Sequence, residues 1–332
     1  MRNHLREICA KQPRIFVRKP QILPTNVDAP LGLQMLAPRW GYKYDRPAGA
    51  TNMTAPLGLQ MLAPRWGYKY DRPAGALIEM NMLNSVVIRP AVFDRFKDVS
   101  AGQSTRHGGV SKPPYDTMNL GKSTDDDPVD VAENRRRYCA ALGFTPEKMA
   151  WSKQVHGDQI RIVETPGGAE GYDGLITNVP GILLVVSVAD CASILVYDHA
   201  NRALAAIHAG WKGTAAQIVA KTLALMEDTY GTRGADCYAY LGACIDECSF
   251  EVGPEVAEQF ADPFKRWDPD RGKYFVDLKK ANAAQLLDFG VPQTQIEISP
   301  YCTLLNPQDF FSHRHSGGIT GRGMSGIGLR GR

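Results

Sequence analysis

Residues 80–332 are predicted to form one α+β domain, layered around a large mixed β-sheet flanked by helices and preceded by a disordered N-terminal extension. Short β-branched and apolar runs are interspersed with helix-spaced segments without the strict alternation of a doubly wound fold. Hydrophobic residues make up 44% of the 332 and charged residues 22%, enough to bury a sizeable core. The longest largely apolar run, 182–189, is far short of the ~20 residues that a membrane span requires.

The first strand is expected at 86–88, where Val86, Val87 and Ile88 are β-branched and Pro90 follows. Residues 106–115, rich in Gly, Ser and Pro, read as loop. Asp125, Asp126 and Asp127 before Pro128 mark a helix start; Val131, Tyr138 and Leu142 share a face, and Gly143 ends it. Residues 159–163 alternate as a strand. The runs 182–188, 194–197 and 204–207 have strand length and are interrupted by Asp190-Cys191-Ala192 and by His208-Ala209-Gly210. Residues 214–230 carry Ile218, Leu223, Leu225 and Met226 at helical spacing and stop at Gly231. A short helix at 254–260 lies between strands at 238–241 and 274–276. Asp277 caps a helix holding Leu278, Leu286 and Leu287 that Gly290 terminates, and 296–299 is the last strand.

Residues 1–79 differ in kind. Residues 29–50 read APLGLQMLAPRWGYKYDRPAGA, and 55–76 repeat them without a substitution. Structural repeats diverge because each copy meets different neighbours, and two Pro- and Gly-rich copies without periodicity do not describe a folding unit. We read the stretch as a recent duplication, or as sequence translated upstream of a start at Met80 or Met82. A binding arm that presents the clusters around Trp40 and Trp66 is the alternative. Glu7 and the absence of Ser from the opening basic stretch argue against a transit peptide.

The formal charge of +3 hides an asymmetry. Residues 1–79 hold 12 basic and 5 acidic residues, and 80–332 hold 26 and 30. The domain is mildly acidic and offers no argument for nucleic-acid binding. Seven cysteines at irregular spacing, with no secretory leader, point to a reducing, cytoplasmic setting.

Three places where strand-like runs end carry chemistry: Val155-His156-Gly157, Ala189-Asp190-Cys191 and Ile207-His208-Ala209-Gly210. Each puts a soft metal ligand where side chains from adjacent strands can converge. Two imidazoles and a thiolate suit zinc, and three protein ligands leave a tetrahedral position open, as in catalytic sites. The spacings of 35 and 17 residues are long, so buried packing by Cys191 and ordinary hydrogen bonding by the histidines stay open at this point. Gly210-Trp211-Lys212-Gly213-Thr214 opens a helix whose free N–H groups could bind an anion beside Lys212. Cys244 and Cys248 have no partner pair at finger-like spacing, and His107, His199, His313 and His315 fall in polar loops.

At these residues the sequence resembles the YfiH or laccase-domain family of purine nucleoside phosphorylases. The blocks that carry the likeness are TRHGGVS (105–111), NLG (119–121), DDDPVDVAENR (125–135), QVHGDQI (154–160), GYDGLITN (171–178), SVADCASILVYD (187–198), IHAGWKGT (207–214), FEVGPEV (250–256), VDL (276–278) and the tail FFSHRHSGGITGRGMSGIGL (310–329). They span nearly all of 84–330. The resemblance implies His156, Cys191 and His208 as metal ligands. The tail departs from the family's commoner pattern, with His313 and His315 where Tyr and a second Arg are usual; Arg314 and Arg322 remain.

The resemblance further implies phosphorolysis of adenosine, inosine and S-methyl-5′-thioadenosine to the free base and a ribose 1-phosphate, with deamination of adenosine as a second activity. Deamination calls for a nucleophilic water, which an open zinc position supplies, and for a proton shuttle, with Asp190 and Asp173 as candidates. Phosphorolysis calls for cations around phosphate, and Arg106, Lys212 and Arg314 are the expected set, with Asn119 as a further substrate contact. Copper is the alternative metal, in a polyphenol oxidase; multicopper chemistry consumes more histidines than the seven present. A further alternative makes Cys191 the nucleophile of an amidase that edits peptidoglycan precursors, with His208 or His156 as base.

Overall fold

The structure, a computed structural model, describes residues 85–331, so the extension expected over 1–79 and its duplication lie outside the described residues. The chain enters through β1 (Val87–Ile88) and β2 (Val99–Ser104) and continues into α1 (Pro128–Leu142). This helix begins where the aspartates predict. The Asp127 side chain accepts from the Val129 N–H, Pro128 takes the first turn, and Gly143 closes the helix at a φ of 78°. Four short strands follow: β3 (Met149–Lys153), β4 (Ile160–Ile162), β5 (Gly167–Glu170) and β6 (Gly174–Thr177). The central strands β7 (Leu183–Val188), β8 (Ala192–Asp198) and β9 (Ala203–Ala209) match the three apolar runs. The helix expected over 214–230 is two pieces, α2 (Trp211–Ala215) and α3 (Ile218–Tyr230), because Gln217 between them adopts a φ of 59°. Next come β10 (Cys237–Leu241), β11 (Glu251–Val252) and α4 (Pro254–Ala257), the last shorter than expected. After them lie β12 (Lys265–Asp268), β13 (Lys273–Val276), α5 (Leu278–Asp288) capped by Asp277, β14 (Ile296–Ile298) and β15 (Gly323–Leu329).

The fold is α+β with mixed sheets, and the large sheet is divided in two. One six-stranded sheet has the order β1-β2-β15-β7-β3-β5 and the other β14-β10-β8-β9-β6-β4; β11-β13-β12 form a small third sheet. Leu184 and Val186 of the first sheet pack between the two large sheets against Leu195, Tyr197, Leu204 and Ala206 of the second. The alternate residues face the other way. Leu183 and Val185 meet Tyr138, Cys139 and Leu142 of α1, while Ile194, Val196, Ala205 and Ile207 meet Ile218, Leu223 and Met226 of α3 and Leu286 of α5. Burial on both faces of the central strands accounts for their continuous apolar sequence. Where β7 ends and β8 begins, the chain passes from one sheet to the other through Ala189, Asp190 and Cys191. Among the described residues no helix is long and apolar enough to cross a membrane.

β15 carries no strand signal in the sequence, yet it lies between β2 and β7 and is wholly buried. Its glycines are packing positions. A Cβ on Gly326 would lie 2.8 Å from the Tyr138 hydroxyl, and one on Gly328 would lie 2.5 Å from the Phe144 ring and 2.8 Å from the Ile182 carbonyl oxygen. Gly328→Ala is therefore expected to lower unfolding free energy by about 1–3 kcal/mol, the usual cost of overpacking a core. Urea titration of the two proteins measures it, and an unchanged midpoint would contradict this packing.

Candidate active site

His156, Cys191 and His208 converge at the crossover between the sheets. β8 and β9 are antiparallel with Ser193 opposite His208 and Ala192 opposite Ala209, which brings Cys191 beside His208 despite the 17 residues between them. His156 arrives from the loop after β3 with a φ of 59°, and Asp190 turns the chain at a φ of 86°. Both lie in the left-handed region that non-glycine residues occupy sparingly, often at functional sites. The ligand atoms of the three side chains all lie within 4.8 Å of one another. The two imidazole centroids are 4.9 Å apart, with the rings at 83°. Gly210 makes room for the cluster, since a Cβ there would lie 3.1 Å from Cys191 Sγ and 3.2 Å from His156 Cδ2.

One carboxylate organises this cluster. Asp173, immediately before β6 and almost wholly buried, accepts a 2.7 Å hydrogen bond from His208 Nδ1. It also accepts from the backbone N–H groups of Val155 (3.1 Å), His156 (3.0 Å) and Gly157 (2.9 Å). The same residue's carbonyl accepts from the His208 N–H. With Nδ1 engaged, Nε2 is the ring nitrogen left for a ligand role, the usual device by which a carboxylate orients a metal-binding imidazole. Burial alone would raise the Asp173 carboxyl pKa, but the His208 and Gly157 hydrogen bonds hold it below the ordinary range. Burial likewise works against the Cys191 thiolate, yet His208 and His156 bring the thiol down to about 6. Burial would lower His208; the Cys191 thiolate and Asp173 together push it up to about 9.

The three residues line a cleft of ≈ 720 Å³. Asp190 and Arg314 of the expected set line it too. Asp190 Oδ1 accepts from Thr303 Oγ1 at 2.6 Å and Oδ2 from the Arg314 N–H at 2.7 Å, which ties the tail to the crossover turn. The Arg314 guanidinium packs 5.7 Å over the Phe250 ring and donates to the Glu251 carbonyl.

Arg106, Lys212 and Asn119 are not brought to the cleft lining. The Arg106 guanidinium is consumed by the carbonyls of Asp116 and Pro307 and by the Asp116 carboxylate. Lys212 is exposed on α2, over its own neighbour Trp211. Asn119 is fully buried and bonds to Thr124, Asp126 and the N–H groups of Gly121 and Arg322. The cleft cations that sequence reasoning did not assign to the site are Lys122, Arg135, Lys153 and Arg322, and of these Lys153 is paired with Glu170. Arg135 reads in sequence as one of three consecutive arginines on a helix. Only the inward turn of α1 distinguishes it from Arg136 and Arg137, which pair with Glu133 on the surface.

A family model described as multi-copper polyphenol oxidoreductase laccase matches residues 100–330. A protein of Bacteroides thetaiotaomicron named purine nucleoside phosphorylase is 38% identical over 250 residues, covering 70% of this chain and 92% of that protein. Purine nucleoside phosphorylase YfiH of Escherichia coli K12 is 37% identical over 238 residues, or 70% and 95% of the two chains. The crystal structure of YlmD from Geobacillus stearothermophilus superposes with a TM-score of 0.70 at 33% identity, covering 74% of this chain and 97% of that one.

Two outcomes follow from the cluster's geometry. In metal-free protein the rate of Cys191 alkylation by iodoacetamide rises with pH through a midpoint near 6, because the thiolate is the reactive form and its pKa is depressed to about 6. A midpoint near the ordinary 9.0 would contradict the charge arrangement. Asp173→Asn, which leaves the shape but removes the carboxylate, is expected to weaken metal binding by about 10–100-fold. Competition with a chromophoric chelator measures this, and unchanged affinity would remove the orienting role.

Proposed function

The chain belongs to the multi-copper polyphenol oxidoreductase laccase family, and we propose that it acts within that family as a zinc-dependent purine nucleoside phosphorylase. The observation that carries this reading is a set of three donors, His156, Cys191 and His208, at the surface of a cleft whose volume falls in the range that accepts a small organic substrate. The names of the relatives supply the substrate class, a purine nucleoside with phosphate as co-substrate.

Zinc is favoured over copper by the donor chemistry. Two imidazoles and one thiolate form a borderline-soft set with a fourth position left over. No methionine lines the cleft to serve as the axial ligand of a blue-copper site. Among the described residues no second group of three His, Cys or carboxylate donors accompanies this one, as a multinuclear copper centre would need. The six cysteines among the described residues are free thiols, which supports a reducing, cytoplasmic setting.

A metal ion held by the three side chains supplies Lewis acidity at the substrate. In phosphorolysis a phosphate oxygen forms a bond to C1′ of the ribose as the bond from C1′ to N9 breaks. The bonding pair leaves with the base, which takes up a proton, and ribose 1-phosphate is the second product. Asp190 is the residue proposed to carry that proton: it lines the cleft and its carboxylate is fixed from behind by Thr303 and the Arg314 N–H. Asp173, with four donors on its two oxygens, is proposed to position rather than to shuttle. Adenosine, inosine and S-methyl-5′-thioadenosine are the proposed substrates. Release of ammonia from adenosine by water attack at C6 is proposed as a second reaction of the same cleft.

One observation favours a second reading. A depressed thiol between two imidazoles is also how a cysteine hydrolase arms its nucleophile, and an amidase acting on peptidoglycan precursors would use Cys191 in that way. Metal dependence separates the two. The purified chain is expected to contain about one zinc, the complement of a single three-ligand site. It is expected to convert adenosine to adenine only when phosphate is added. Cys191→Ser and His208→Ala are each expected to lose the metal and lower turnover by about 10²-fold or more, as removal of an essential catalytic group does. Chromatography of the products and elemental analysis check this. Absence of both zinc and product would overturn the reading, and hydrolysis of a peptidoglycan-precursor amide that survives metal removal but not alkylation would support the hydrolase instead.

A further inference from the structure

We propose that Lys122, Arg135 and Arg322 form an oxyanion subsite in the cleft, built to hold inorganic phosphate. The proposal deepens the phosphorolysis reading and rests on it for the identity of the anion. The three cations come from distant segments, and hydrogen bonds centred on one turn hold them together. Arg135 Nε donates to the Leu120 carbonyl at 2.8 Å. The Leu120 N–H donates to the Arg322 carbonyl at 2.9 Å. Asn119 Oδ1 accepts from both the Gly121 N–H (3.0 Å) and the Arg322 N–H (2.8 Å). Gly121 allows this approach, since a Cβ there would lie 2.8 Å from Arg322 Cγ. The buried Asn119, expected from sequence as a substrate contact, thus pins two cation-bearing segments to each other.

Three like charges assembled in this way are unfavourable unless something neutralises them. Among the described residues none of the three forms an ion pair with a carboxylate. Of the carboxylates that line the cleft, Glu170 pairs with Lys153, and the Asp190 oxygens accept from the Thr303 hydroxyl and the Arg314 backbone N–H, so that Asp190 acts on Arg322 through its charge without a direct ion pair. Arg135 is 6% exposed, and its Nε bond to Leu120 leaves the two terminal nitrogens for the cleft. Arg322 donates through Nη1 to the carbonyls of Thr320 and Gly321, which leaves Nη2. Lys122 and Arg135 both pack against the Trp151 ring, at 4.8 and 5.7 Å from its centroid, a contact that offsets part of the cost of a cation without a counter-ion. Burial and the charge of Arg135 hold the Lys122 pKa down, and burial lowers Arg135 to about 10. Burial lowers Arg322 also, although Asp190 and Cys191 act against it. A tetrahedral dianion matches this set: guanidinium edges give directed hydrogen bonds, and an ammonium gives a mobile point charge.

The test is calorimetric titration of the full chain with inorganic phosphate, without nucleoside, alongside steady-state kinetics. Lys122→Gln and Arg322→Gln are each expected to weaken phosphate binding about tenfold or more, the usual consequence of losing one charged donor. The KM for phosphate rises in parallel, while the KM for nucleoside and the zinc content stay as in the parent. Because Arg135 is buried and its replacement can unfold the domain, the exposed Lys122 carries the test. Lys212→Gln, on the surface away from the cleft, leaves phosphate binding unchanged. Phosphate binding that is indifferent to Lys122 and Arg322, or equally weakened by Lys212→Gln, would overturn the subsite even if phosphorolysis is observed. Weakened phosphate binding in a protein that shows no phosphorolysis would sustain the subsite and remove the reaction. Binding of adenosine monophosphate but not of inorganic phosphate would overturn free phosphate as the occupant.

Discussion

The Asp173 carboxylate is the constraint from which the rest of the site follows. A buried carboxylate is costly unless its oxygens are bonded, and here they accept from an imidazole and three successive backbone N–H groups. Those donors belong to β9 of the second sheet and to the loop that leads from β3 of the first sheet to β4 of the second. One side chain therefore fixes the His208 ring, sets the His156 loop in its left-handed turn, and joins the sheets at the end where the chain crosses between them. Cys191 needs no separate tether, because the β8–β9 register brings it to the imidazoles.

The arrangement also explains how one fold can carry two different descriptions. A laccase would require several copper ions, and the described residues gather donors for one metal. The proposed phosphorylase instead requires one polarising centre, an apolar surface for a base and a set of cations for phosphate. The cleft has all three: the His-Cys-His cluster, Ile245 and Phe250, and the Lys122, Arg135 and Arg322 group. The tail strand connects them, since β15 packs in the middle of a sheet and the residues just before it place Arg314 and Arg322 in the cleft lining.

Much of this was legible in the sequence, for reasons that differ by element. The central strands are buried on both faces, so their apolar runs are plain, and the residues that interrupt them, Asp190, Cys191 and His208, stand out by contrast. The capped helices α1 and α5 were legible from Asp127, Gly143 and Asp277, whose roles are local. What escaped depends on tertiary direction. Asp173 stands in the sequence as a proton-shuttle candidate, but nothing along the chain shows that it points away from solvent at a histidine 35 residues on and so orients that ring. Arg106 and Lys212 sit in glycine-rich segments that suggest anion binding, whereas nearby carbonyls and the Asp116 carboxylate take up the first and solvent the second. β15 is obscured because its glycines are selected by the Tyr138 and Phe144 side chains packed against them, not by strand propensity.

X-ray absorption at the zinc edge of the metal-loaded protein tests the central claim most directly. The account predicts one sulfur scatterer at about 2.3 Å and imidazole nitrogens at about 2.0–2.1 Å, the distances typical of thiolate and histidine ligation, with the sulfur shell lost in Cys191→Ser. A spectrum without sulfur, or one dominated by several sulfurs, would place the metal elsewhere in the molecule and contradict the account.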